Sequence, residues 1–67
     1  MEEERKPQRV RITIHLDDWI FDFVTRSDKI QIHHDGGVQF PNLKDESVIT
    51  VPGIRLLFYE VKVIGEL

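Results

Sequence analysis

The chain contains no cysteine. That absence removes disulfides, thiolate nucleophiles and cysteine-based metal sites, and with them any argument for an oxidising compartment. There is also no apolar run near the roughly 18 residues that a membrane-spanning helix needs. The first residues, Met1-Glu2-Glu3-Glu4-Arg5-Lys6, lack the apolar segment of a secretory signal. A soluble, cytoplasmic protein with no membrane contact is the expectation. Charge of one sign is scarce too, with a net charge of only −3.

Length limits what remains. A chain of 67 residues buries only about 60 percent of the surface its unfolded form exposes, which allows one modest core and no second domain. Such a core supplies roughly 3 to 5 kcal/mol, so domains of this size lean on disulfides, a metal or self-association. Disulfides are already excluded. Apolar residues at 40% and charged residues at 31% are nonetheless a globular composition, far from the charge-rich signature of disorder.

Charge is unevenly placed. An acidic tip, Glu2 to Glu4, precedes the cations Arg5, Lys6, Arg9 and Arg11, and no further acid occurs before Asp17. Residues 1–8, polar and broken by Pro7, read as a flexible charged arm. Residues 9–67 read as a single small β domain.

From Val10 to Leu16, the apolar Val10, Ile12, Ile14 and Leu16 alternate with Arg11, Thr13 and His15. Strict period-two alternation in β-branched residues is the pattern of a half-buried strand. Residues 17–26 allow two readings. As a helix, an Asp would cap a stripe of Trp19, Ile20, Phe23 and Val24, giving an α+β fold with a helix packed on an antiparallel sheet. As a strand, Asp17-Asp18 is a two-residue turn and Leu16, Ile14, Ile12 and Val10 face Trp19, Phe21, Phe23 and Thr25. The second reading is preferred, because it gathers every large apolar residue of both strands on one face, and a slip of one position would disperse them.

The same matching extends along the chain. A loop at Arg26 to Lys29 would set Thr25 against Ile30, Phe23 against Ile32 and Phe21 against His34. A three-residue loop, Asp35-Gly36-Gly37, would set His34 against Val38 and Ile32 against Phe40, glycine supplying the positive φ values. Pro41 closes that strand, and Leu43 is the one apolar anchor of the connection through Glu46. A strand at Ser47 to Val51 and a Pro52-Gly53 turn would pair Val51 with Ile54 and Ile49 with Leu56. In the last strand, Ile54 to Ile64, the apolar face switches near Tyr59, as in strands that bend between sheets. The fold expected is mainly β, a small antiparallel barrel or strongly bent sheet of five or six strands.

Few residues offer chemistry. His33, His34 and Asp35 are metal-ligand types, but adjacent strand residues point to opposite faces, and a histidine beside a glycine turn is commonly a plain surface residue. Asp17, Asp18 and Asp22 lie at an exposed turn, where Asp is common for local hydrogen-bonding reasons and no cleft perturbs its titration. Ser27 and Ser47 have no nucleophile context, and Gly36-Gly37 lacks the framing of a phosphate loop. The expectation is a protein that is not an enzyme and needs no cofactor or metal.

Binding readings remain. Small barrels hold single-stranded nucleic acid with cations and exposed rings, and Arg5, Lys6, Arg9 and Arg11 could supply charge. The overall acidity and the assignment of most rings to the core speak against it. The preferred reading is a protein-interaction or regulatory module that binds a protein partner of unstated identity and self-associates as a homo-oligomer. Its expected interface joins Ile20 and Val24, opposite His15 and Arg11 on the outward face of the first hairpin, with Leu57 and Tyr59 of the last strand. A free sheet edge offers a second route to partners.

Overall fold

The computed structural model describes residues 6–67. Arg5 and the acidic tip, which make up most of the proposed arm, lie outside the described residues. The chain is mainly β, with β1 (Gln8–His15), β2 (Ile20–Arg26), β3 (Gln31–Ile32), β4 (Val38–Pro41), β5 (Val48–Val51) and β6 (Phe58–Glu66). They form two three-stranded antiparallel sheets, ordered β2-β1-β6 and β3-β4-β5. No closed barrel is found among the described residues. Nor is any helix there long and apolar enough to cross a membrane.

The first hairpin has the register read from its alternation: Val10 opposes Thr25, Ile12 opposes Phe23 and Ile14 opposes Phe21. Leu16 N–H donates to Trp19 O at 2.8 Å and closes the Asp17-Asp18 turn. Residues 20–26 are therefore a strand, and the helical alternative does not arise.

Beyond Arg26 the chain departs from a simple meander. The expected pairing of β2 with residues 30–34 is absent, and β3 pairs with β4 in the second sheet. A short 3-10 turn at Ser27–Lys29 makes the change of sheet. Arg26 Nε and Nη2 grip the two carboxylate oxygens of Asp28 at 3.0 and 3.2 Å. Ser27 Oγ accepts from Gln8 N–H at 2.9 Å, which anchors the turn to the start of β1. Ile30 then packs against the core.

The β3–β4 register is also corrected. Ile32 faces Val38 and Gln31 faces Gln39, with His33 N–H donating to Gly37 O at 2.9 Å. The loop has the expected length but consists of His34-Asp35-Gly36. Gly36, at φ 88°, is the residue in the left-handed region, so the turn closes one position early. Apolar matching failed here because Ile32, on a two-residue edge strand, remains exposed.

The Pro52-Gly53 hairpin does not form either. Arg55 N–H donates to Pro52 O and Leu56 N–H to Gly53 O, an irregular connection that leaves Ile54 92% exposed. The last strand begins only at Phe58 and pairs with β1, from Phe58 opposite His15 to Glu66 opposite Gln8. The apparent face switch near Tyr59 thus has a simple cause: Ile54 and Leu56 precede the strand, and Tyr59, Val61 and Val63 share the inner face with Ile14, Ile12 and Val10.

The core lies between the sheets. Ile12 and Ile14 of the first meet Val38, Phe40 and Val51 of the second, and Phe23 tilts onto Phe40 at 5.5 Å between ring centroids. Full burial of a side chain such as Phe40 contributes about 1.5–3 kcal/mol. The layers differ in size: strands of 8, 7 and 9 residues face strands of 2, 4 and 4. At about 3.4 Å per residue, the longer sheet overhangs its cover, and that overhang positions the surfaces described next.

Candidate protein-interaction surface

The pairings place the outward residues of the longer sheet in three rows. Ile20, His15 and Phe58 form the first, Asp22, Thr13 and Glu60 the second, and Val24, Arg11 and Lys62 the third. In the first row the His15 imidazole stacks on Phe58, with centroids 4.0 Å apart and an interplanar angle of 14°. His15 Nε2 is buried without a hydrogen-bond partner, and Glu60 Oε1 lies 3.5 Å away. In the second row Thr13 Oγ1 donates to Asp22 Oδ1 at 2.7 Å.

Four of the six expected interface residues therefore share one face: Arg11, His15, Ile20 and Val24. Ile20 is exposed and Val24 half-buried. Leu57 adjoins the first row, where its N–H donates to His15 O at 2.9 Å, and its side chain is exposed. Tyr59 stands apart, because it opposes Ile14 on the inner face and packs against the core.

Phe58 escaped the sequence reading. It joins Ile20 and His15 only through the long-range pairing of β6 with β1, which no local pattern announces. Trp19 and Phe21, which alternation sends to the core face, are not in the core. They do alternate with Phe23 on one face, stacked at 6.2 Å from ring to ring. Only Phe23 reaches the second sheet, while Trp19 is 65% exposed and Phe21 42%. Trp19 on the inner face and Ile20 and Phe58 on the outer face, with Leu57 beside them, thus leave exposed apolar side chains on both faces at the end of the sheet that carries the Asp17-Asp18 turn.

The cations lie elsewhere. Lys6, Arg9 and Arg11 are exposed, and Arg9 opposes Arg26, so the basic end of the outer face is separated from Phe58 by the acidic row. Trp19 and Phe21 lie on the opposite face. Cations and stacking rings do not share one track.

The histidine cluster is dispersed. His33 Nε2 pairs with Gln39 Oε1 at 2.9 Å. Asp35 Oδ1 accepts from Gly37 N–H at 2.8 Å and Oδ2 from Gly53 N–H at 3.2 Å. These two amides hold the Asp35 carboxyl below the usual carboxylate range. A Cβ at Gly53 would collide with the Asp35 carbonyl oxygen, so the staple requires glycine there. Among the described residues no group of three His, Asp or Glu side chains is placed to hold a metal ion. Compared with known protein families, curated proteins and solved structures, the chain matches none.

The two edges of the longer sheet are unlike. On β2, Val24 O accepts from Leu43 N–H at 3.0 Å, so the connection after Pro41 covers part of that edge. On β6 no further strand pairs among the described residues. Its inner-face residues Val61 and Val63 are also exposed.

Proposed function

We propose that this chain is a non-catalytic protein-interaction module that captures a protein partner at the apolar end of its longer sheet and also associates with itself. The observation that carries this reading is the exposure of Trp19, Ile20, Leu57 and Phe58 together around one turn. Exposed large apolar side chains gathered at one end of a small protein mark interfaces, and Trp is prominent among residues that dominate binding energy. The acidic side chains with lowered titration support a non-catalytic role, since their partners are structural. Asp28 is held by Arg26, Asp35 by the amides of Gly37 and Gly53, and Asp45 by Ser47.

The test is capture from the native cell extract on immobilised wild-type chain, on Trp19→Ala and Ile20→Asp, and on Arg9→Ala/Arg11→Ala. A specific partner should bind the first and last and be weakened roughly 30-fold or more by changes at the apolar end. Equal capture by all three sinks the reading. Loss only with the arginine variant, together with steeply salt-dependent binding of single-stranded oligonucleotides, would favour nucleic acid as the ligand.

A further inference from the structure

The self-association in that reading can be given a site and a register. β1 is the central strand, and its residues turn their backbone groups alternately to its two neighbours. Leu16 bonds Trp19, so Ile14, Ile12 and Val10 turn toward β2, while His15, Thr13 and Arg11 turn toward Phe58, Glu60 and Lys62. The intervening residues Tyr59, Val61 and Val63 therefore direct N–H and C=O groups along the free edge of β6. A row of such groups is a template for another strand.

We propose that two copies pair antiparallel along this edge, about a two-fold axis through Val61, to give one continuous six-stranded sheet. The occupant is a second copy because the strand is complementary to itself in this register. Val61 faces the partner's Val61, and Tyr59 faces the partner's Val63. On the outer face Glu60 lies opposite the partner's Lys62, twice by symmetry.

Opposite charges and apolar side chains directly across a ladder stabilise it, and like charges oppose it. Neighbouring registers lose this match. Centring on Glu60 opposes two carboxylates, and centring on Lys62 opposes two ammonium groups. A lysine on an edge strand ordinarily blocks pairing. Here Lys62 opposes pairing centred on itself, and the register centred on Val61 sets it against Glu60 instead.

The absence of native cysteine allows a clean test. Residues directly opposed at hydrogen-bonded positions have Cα atoms about 5.5 Å apart, within disulfide range. Val61→Cys should thus cross-link two chains under mild oxidation. Val63→Cys should not, because its counterpart lies four residues along the strand, roughly 14 Å away. Independently, Glu60→Lys and Lys62→Glu should each weaken self-association about tenfold or more in sedimentation, and an equimolar mixture of the two should restore it.

Circular dichroism establishes that each variant is folded; if a charge variant is not, the cysteine pair decides alone. Cross-linking of Val63→Cys in preference to Val61→Cys, or a wild-type chain that sediments as a monomer at high micromolar concentration, overturns the pairing. A monomer that still captures a partner through Trp19 and Ile20 leaves the docking reading standing. A dimer that captures nothing does the reverse.

Discussion

Thr25 is fully buried on the inner face opposite Val10, and its hydroxyl oxygen finds no hydrogen-bond partner. A β-branched side chain suits the strand, yet an unsatisfied buried hydroxyl costs about 1–3 kcal/mol. Replacing it with the nearly isosteric valine removes that cost while keeping the shape. Thr25→Val is expected to stabilise the fold by about 1 kcal/mol, a rise in Tm of roughly 5 °C for a domain of this size. A fall in Tm on thermal unfolding would show that the hydroxyl has a partner after all. The position was legible from sequence because alternation alone sends residue 25 inward, whatever its polarity. The exposure of Trp19 and Phe21 was not, since alternation names a face and says nothing about how far the opposite layer extends.

Among elements, the β1–β2 hairpin was readable because its turn is two residues long, β1 alternates cleanly and one register sets the large apolar residues of β2 on the same face, so loop closure and burial select it. The same logic misled at β3 and after Val51. There the local turns are closed by specific polar contacts, Arg26 with Asp28 and Asp35 with Gly37 and Gly53, which apolar matching does not see. The Asp35 contact staples the β3–β4 turn to the segment after β5, and its pH dependence follows from its sign. Its carboxyl titrates below the ordinary value in the folded chain, so its contribution is fully present above about pH 4 and is lost as pH falls through the lowered folded value. Asp35→Asn should lower the urea midpoint at neutral pH, because an amide can accept from one of the two N–H groups but not from both. The gap to wild type should close as the pH falls below the ordinary carboxylate value and the carboxyl becomes protonated in the folded chain. A gap that stays constant across the acid range would mean that the charge at Asp35 does not hold the staple.

At the scale of the whole molecule, the mismatch between the two layers dominates. Among the described residues six apolar side chains are buried, while twelve large apolar ones are exposed, a proportion that leaves the isolated domain near the lower limit of stability for its size. The pairing of β1 with β6, which completes the longer sheet, joins segments from opposite ends of the chain. Its cost in loop closure has no local signature in sequence, and neither had the free edge that it creates. If β6 pairs with a second copy, folding and association are linked, and the apparent stability acquires a dependence on chain concentration through mass action. The wild-type Tm should therefore rise as concentration is raised from low to high micromolar, whereas Lys62→Glu, which places like charges across the same ladder, should melt at a constant temperature over that range. A wild-type Tm independent of concentration, measured by circular dichroism in cells of different path length, would mean that the domain is stable on its short core alone and that the exposed valines of β6 contribute nothing to holding it together.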